Sequence, residues 1–462
     1  MRYLSLGDTE DIAASCHHLE IAGTGLVLDA GMDPDAEGFD ALPPFELLRG
    51  LPVDHVVVTH AHHDHLGALP VLLREVPHAR IHMTPATMRL ADVLLPASAR
   101  LQKRRLREGA PGAAQVFDTE TAEALTYLYE AHPLDTDFDL SGARATAPLT
   151  ARFYHAGHVL GAAGLYLEAE EDGRRRRVFY TSDTSLRPQS ILPGAHLPHG
   201  PLDLLLLEAT LGADPEAERT TRKEQEKQFG EALAATIARG GRALVPVFAL
   251  GRAQDVLAMI DRFKRRGVLP AETPVYTAGS MRAVAEIYDA TRHSTPRLDP
   301  DFEVYAVEQQ RLPRTSKRLS EALAAPGIFV VSSGMLFQNT PSHALAQHVI
   351  EDETNAVFFV GFNKEGSPGD ELVRAAEAGP GATITLDELR GPQPVRATVR
   401  RFRFTGHAHR QDLIDVVAQT EPATVVLVHG ETAAKEWMRE ALADAYPDLR
   451  VIIPEQGAPV EL

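Results

Sequence analysis

Apolar and polar positions alternate along this chain in two distinct styles. Through residues 1–211, short β-branched or leucine-rich runs mix with helical segments. Strands are predicted at Arg2–Leu6, Gly25–Leu28, Val53–Thr59 and Arg80–Met83, followed by a helix from Ala86. Further strands are expected within Arg144–Tyr154 and around Leu165 and Val178. The run LDLLLL, Leu202–Leu207, is almost wholly apolar and predicts a strand buried on both faces. From Gly212 to about Pro394 the pattern becomes a repeated strand–loop–helix unit. RALVPVF runs into ALGRAQDVLAMIDRF, PVYT into AGSMRAVAEIYDAT, GIFVV into SSGML, and NAVFFVGF into NKEGSPGDEL. That rhythm predicts a parallel α/β sheet, whose ligands bind at loops beyond the carboxyl ends of its strands. The final segment returns to VRATVRRFRF, the helix-like RQDLIDVVAQ, the strand TVVLV and a last helix near Glu431–Ala445.

Composition narrows the chemistry. At 462 residues with 44% hydrophobic content, the chain can build two domains or one large elaborated one. Its one cysteine, Cys16, rules out a disulfide framework or thiolate cluster, so any metal must be held by nitrogen and oxygen. The opening MRYLSLGDTEDIAAS lacks the basic and apolar regions of a signal peptide, and no apolar run approaches the roughly 20 residues of a membrane span. The expectation is a cytoplasmic protein with no membrane partner. A net charge of −18 argues against a polyanionic partner only globally, because a cleft and its metals set their own field. The clusters Lys103-Arg104-Arg105 and Arg174–Arg177 read as solvated surface rather than binding patches.

One stretch stands apart. THAHHDHLG, Thr59–Gly67, places four histidines and an aspartate at the end of a buried strand. His60 and His62 alternate in extended backbone and can face one metal. Asp64 and His65 follow the turn and can face a second position nearby. Three later strand ends offer more: His158 between glycines in AGHVLG, Asp183 in YTSDTS, and His429 in VVLVHG. Singly, each reads as readily as a core or turn residue; four such strand ends together point to a metal centre.

These motifs, with Asp29 in VLDAG, resemble the metallo-β-lactamase superfamily. Glu208 in LLLEATLG, PVFALGRAQ, SSGML, GHAHRQ and LVHGE are similar, in order and spacing, to its β-CASP branch of nucleic-acid-processing nucleases, the prokaryotic and cleavage-factor ribonucleases in particular. The resemblance implies an αββα sandwich, 1–211 and 395–462, interrupted by a β-CASP α/β domain, 212–394. It implies two Zn²⁺ ions per chain. His60, His62 and His158 would hold one, Asp64, His65 and His429 the other, and Asp183 would bridge them. Asp29 would orient a ligand imidazole without touching metal. Glu208 and His407 would join the inserted domain to the site, with His407 as general acid. Ser332, Ser333 and Gly334 would contact phosphate through hydroxyls and backbone N–H groups.

The implied activity is hydrolysis of single-stranded RNA by a hydroxide held between two zincs, leaving a 5′ phosphate and a 3′ hydroxyl. The absence of a leading RNA-binding module and of a trailing domain favours internal cleavage. A homodimer is compatible with the sequence and not required by it. A DNA nuclease of the same branch is the first rival, disfavoured because that group commonly has an apolar residue where His429 stands. A hydrolase of small esters or thioesters is the second, disfavoured by the large inserted domain. A non-catalytic scaffold form is the third, disfavoured because no ligand is lost. Three positions depart from the family pattern. Ala209-Thr210-Leu211-Gly212 lacks the usual tyrosine, Phe337–Thr340 replaces a glycine pair, and His409 stands where an acidic residue is usual.

Overall fold

All five residues of the strand Leu204–Glu208 are buried, and they pack alternately to two sides. Leu204 and Leu206 join one core cluster, Leu205 and Leu207 another. This two-sided burial is what the LDLLLL run predicts, and it marks the strand as the centre of a layered fold. The computed structural model describes residues 1–7, 13–215, 219–313, 315–361 and 363–462. Its contacts divide the chain into two units. One holds 1–188, 192–215 and 407–462; the other holds 189–191 and 216–406.

The first unit is a sandwich of two sheets, each seven-stranded among the described residues. One runs Pro459–Glu461, Arg2–Ser5, His17–Ile21, Thr24–Leu28, His55–Val57, Arg80–Met83, Tyr129–Ala131. The other runs Arg450–Ile452, Thr424–Val428, Leu204–Glu208, Arg174–Tyr180, Ala163–Glu171, Leu149–His155, Asp137–Asp139. Tyr3, Leu19, Leu26, Leu28 and Val57 of the first meet Phe153, Leu165, Val178 and Val426 of the second in a shared core. On the outer side of the second sheet, Leu413, Val416 and Val417 of helix Arg410–Thr420 and Met438 and Leu442 of helix Thr432–Ala445 cover Leu205, Val425 and Leu427. Helix Pro85–Glu108 starts at Thr84, whose side chain accepts from the Thr87 N–H, and ends at Gly109 in the left-handed region.

The second unit is built on a sheet that is six-stranded among the described residues, ordered Gln310–Arg311, Val275–Thr277, Gly327–Val331, Arg242–Pro246, Ala356–Phe359, Thr398–Arg401. Every pairing in it is parallel. Helices such as Arg252–Arg265, Met281–Ala290 and Pro341–Val349 connect the strands, as the strand–loop–helix rhythm predicts. This unit reaches Gly406, where the sequence pattern places its end at Pro394, because Thr398–Arg401 pairs in register with Ala356–Phe359.

Local differences from the sequence reading have simple causes. Val53–Thr59 narrows to the strand His55–Val57, since the chain leaves the sheet to enter the site. Arg144–Tyr154 becomes Leu149–His155. Of Arg174–Arg177, read as surface, Arg174 and Arg175 are exposed while Arg176 and Arg177 are half-buried, and together they form the start of a strand paired with Glu168–Glu171. Asp137–Asp139, a short edge strand of sequence DFD, carries too little apolar pattern to be seen. No helix among the described residues is long and apolar enough to cross a membrane.

Candidate metal centre

Four strand ends of the sandwich converge on one place. The chain leaves Thr24–Leu28 at Asp29, His55–Val57 toward Thr59–His65, Arg174–Tyr180 toward Ser182–Asp183, and Thr424–Val428 at His429. Asp29, Ser182 and His429 all have positive φ, at 60°, 52° and 46°. Such backbone costs a non-glycine residue about 1–3 kcal/mol and persists only where its surroundings impose it. Here the sharp turns bend side chains off the sheet ends toward a common point.

The turn after His62 is the helix His63–Leu66, which carries Asp64 and His65. The segment after Asp29 lies directly on it: the Ala30 N–H donates to the His65 carbonyl (2.8 Å) and the Met32 N–H to the His63 carbonyl (3.0 Å). Glycine is required at position 31, where a Cβ would stand 1.7 Å from the Asp64 carbonyl oxygen. Gly157, with φ of +73°, lets the AGHVLG loop turn beside Ser185 and present His158.

The side chains form two nests. In the first, His62 Nδ1 lies 3.2 Å from His60 Nε2 and 3.0 Å from His158 Nε2. Asp183 Oδ2 is 3.7 Å from His60 and 3.5 Å from His158. In the second, Asp183 Oδ1 is 3.3 Å from His65 Nε2 and 3.4 Å from His429 Nε2, and Asp64 Oδ2 is 3.9 Å from His429 Nε2. Donors held about 2.0–2.1 Å from a tetrahedral zinc stand about 3.3 Å apart, so both nests have the scale of a zinc shell. Asp183 gives one oxygen to each.

Proton bookkeeping also favours cations. Thr59 has one hydroxyl proton, which goes to Asp29 at 2.9 Å, so Ser182 must donate to Thr59 across 2.6 Å. His60 Nδ1, 3.3 Å and 3.4 Å from these two hydroxyl oxygens, then carries its proton toward them and leaves an Nε2 lone pair facing the nest. His65 Nδ1 donates to Asp29 at 2.9 Å, which likewise turns its Nε2 lone pair inward. His65 Nε2 and Asp183 Oδ1 are buried with no hydrogen-bond partner, two lone-pair atoms aimed at one space. A positive charge between them resolves that arrangement, whether a metal ion or a proton on His65 Nε2 facing Asp183 Oδ1 across 3.3 Å.

The electrostatics agree. Burial pulls the His65 imidazole down, but Asp183 and Asp29 push it well above the ordinary range, so the second nest demands positive charge. Burial works against the Asp183 charge, yet His429 and His65 hold its carboxyl well below the carboxylate range. Burial, aided by His65, keeps His60 far below its usual value, hence neutral and able to ligate.

Beneath the second nest, Asp29 receives the Thr59 N–H (2.8 Å), the Thr59 hydroxyl, His65 and the Tyr180 hydroxyl (2.9 Å). Tyr180 in turn meets Ser15 at 3.2 Å, and Ser15 meets His17 Nε2 at 3.3 Å. Thr59, Tyr180, Ser15 and His17 escaped the sequence reading of the site. Their roles are hydrogen bonds between distant segments, which no local spacing signals.

Beside the first nest, His407 Nδ1 bonds Glu208 Oε2 at 3.0 Å, and its ring lies 4.6 Å from that of His158. Glu208 is fully buried and also accepts the Thr184 N–H at 2.7 Å, which ties it to the YTSDTS turn. Burial opposes protonation of His407, but Glu208 overcomes it and the imidazole is pushed up to about 9. His409, one of the departures, caps helix Arg410–Thr420, and its N–H donates to Asp412 at 3.3 Å.

Ser332, Ser333 and Gly334 belong to the second unit, just beyond the carboxyl end of Gly327–Val331. The Ser333 hydroxyl accepts the Phe337 N–H (3.1 Å) and the Ser342 hydroxyl donates to the Ser333 carbonyl (2.7 Å). Asn339, in the segment that replaces the glycine pair, adopts φ of +61°, which asparagine tolerates better than most residues.

Comparison with known proteins gives three family matches. The metallo-beta-lactamase superfamily matches residues 11–218, the Beta-Casp domain 253–372, and the Zn-dependent metallo-hydrolase RNA specificity domain 392–454. Among curated relatives, Endoribonuclease ysh-1 of Neurospora crassa is 28% identical over 93% of this chain and 52% of its own length. Cleavage and polyadenylation specificity factor 73 of Drosophila melanogaster is 29% identical over 99% of this chain and 64% of its own. The RNase J-like protein of Methanocaldococcus jannaschii is 29% identical over 92% of this chain and 91% of its own. The chain thus spans little more than half of its first fungal relative. A crystal structure of a protein of unknown function from Enterococcus faecalis V583 shares the fold, with a TM-score of 0.56 at 15% identity over 100% of this chain and 99% of that one.

Proposed function

The chain belongs to the metallo-β-lactamase superfamily, in its β-CASP branch, and from that premise we propose a zinc-dependent ribonuclease that cuts single-stranded RNA internally. The observation that carries the proposal is the pair of nests sharing Asp183, with the His407–Glu208 pair alongside. In this reading His60, His62, His158 and Asp183 hold one zinc, and Asp64, His65, His429 and Asp183 the other. When bound, the two ions supply water activation and charge neutralisation at a phosphodiester.

The chain's own residues do the rest. Asp29 fixes the His65 tautomer and ring, with Thr59 and Tyr180 holding Asp29. Glu208 holds His407 by Nδ1, so Nε2 is the nitrogen that delivers a proton to the leaving 3′ oxygen. Ser332, Ser333 and Gly334 contact substrate phosphates. RNA is favoured over DNA by two features: His429 completes the second nest, and the RNA-specificity match at 392–454 spans both His407 and His429. Most nest side chains are buried, which favours a flexible single strand over a duplex. Phosphate contacts predict binding that weakens as salt rises, despite the net charge of −18.

The test is one sequence prepared as RNA and as DNA, single-stranded, labelled at the 5′ end or internally. Initial rates are measured with and without chelator. Internal, chelator-sensitive cuts in RNA alone support the reading. Equal rates on DNA favour the DNA-nuclease reading, and a simple ester hydrolysed with neither polymer cut favours the small-substrate hydrolase.

A further inference from the structure

Not every converging histidine belongs to the two nests. At one edge of the first sheet, the edge strand Tyr129–Ala131 pairs in parallel with its inner neighbour Arg80–Met83, with His82 opposite Glu130. His132 lies two residues beyond Glu130, on the same face of the chain. His82 Nδ1 stands 3.0 Å from His132 Nε2 and 4.0 Å from Glu130 Oε2. The geometry points to a third metal site, formed by His82, Glu130 and His132 and taking a borderline divalent cation such as zinc.

The supporting shell is what separates this cluster from an accidental surface grouping. A ligating imidazole normally donates its other N–H to a fixed partner, and a ligating carboxylate is itself hydrogen-bonded. Both partners are present. His82 Nε2 is 3.0 Å from His55 Nδ1, and Arg80 grips Glu130 with bonds of 2.7 Å and 2.5 Å. The His132 ring stacks on Phe138 at 3.8 Å with planes 7° apart, which fixes its direction. Burial drives His82 down to about 3, with help from His55, and lowers His132 as well, so both are neutral at physiological pH.

A simple histidine relay accounts for this less well. A proton between His82 and His132 would join those two rings but leave Glu130 beyond hydrogen-bonding distance of His82. A cation would engage all three donors, whose ligand atoms lie within 4.8 Å of one another. Two imidazoles and one carboxylate suit zinc, with a remaining position for water at the half-exposed edge. The ion would tie the edge strand Tyr129–Ala131 to its inner neighbour Arg80–Met83, where the sheet is otherwise open.

The experiment is zinc titration of the 462-residue chain, then elemental analysis at buffered micromolar free zinc. Wild type should hold one more ion per chain than His132→Ala, with RNA cleavage unchanged between them. Glu130→Gln, a gentler change, should weaken the same ion. Zinc added to metal-stripped protein should raise the melting temperature further in wild type than in His132→Ala. Equal zinc content in wild type and both variants, or an extra ion that appears only at millimolar zinc in all three, overturns the site. The count also stands apart from the ribonuclease reading. If the shared centre bound nothing, wild type would still exceed His132→Ala by one.

Discussion

The two nests that share Asp183 are built from different parts of the chain by different means. The first takes His60, His62 and His158, all from the first 160 residues, and its nitrogens crowd to 3.0 Å and 3.2 Å. The second takes Asp64 and His65 from one turn and His429 from the far end of the sequence, and its edges spread from 3.3 Å to 3.9 Å. The buried Asp29–Tyr180–Ser15 chain braces it directly through His65, and reaches the first nest only by way of Thr59 and His60. The first nest packs three imidazoles together with Asp183 at 3.5 Å and 3.7 Å; the second sets two carboxylates against two imidazoles, with Asp183 at 3.3 Å and 3.4 Å, and is braced from below. The two nests should therefore fail under different substitutions.

Asp183→Asn should have the largest effect, abolishing measurable RNA cleavage, since one carboxylate serves both nests. Thermal melting that stays near wild type would show that the loss is at the site and not in the fold. Next come the changes specific to one nest. His158→Ala should remove an ion from the first nest and leave the second filled. His429→Ala should do the reverse. Metal counts that fall together in either variant would erase the distinction drawn above.

His407→Ala should slow cleavage by about 10²–10⁴-fold with metal content unchanged. An RNA with an activated 3′-thiolate leaving group should recover much of that rate, because it no longer needs the proton. The pH profile sharpens the point. His407 is raised from 6.5 to about 9, so it stays protonated through neutrality and loses its proton only as pH rises through about 9. The same sign holds for stability: the His407–Glu208 pair contributes fully below pH 6.5, and its contribution is lost as pH passes about 9. Glu208→Gln removes the charge that raises it, so the basic limb of the rate profile should move toward neutrality. A limb that stays in place would end the general-acid assignment.

Tyr180→Phe should be the mildest change. It deletes one of the bonds that hold Asp29, so zinc affinity of the second nest should fall about 10-fold, with a smaller change in the first, which Asp29 reaches only through Thr59. Competition with a chelating indicator resolves the two.

What the sequence reveals follows from the range of each interaction. His60, His62, Asp64 and His65 are legible because their spacing along one strand and turn is itself the geometry. His158, Asp183 and His429 are legible as strand-end residues that join the first four in a metal centre, though only the resemblance divides them between two ions. Thr59, Tyr180 and Ser15 are not, because their contacts join segments far apart in the chain and each looks like an ordinary strand residue. His82 and His132 are hidden for the same reason, 50 residues apart and united only by strand register. The strand Leu204–Glu208 is plain in its apolar run, whereas Asp137–Asp139 carries no pattern at all and exists because its neighbour Leu149–His155 offers an edge.

The measurement closest to the central claim is the zinc content of Asp183→Asn, made in a His132→Ala background so that only the shared centre is counted. The parent should hold about two zinc ions per chain, as two nests of N/O donors require, and the double variant should lose both together. Retention of one ion would contradict the bridging role of Asp183. A parent with only trace metal after purification without chelator would contradict the centre itself.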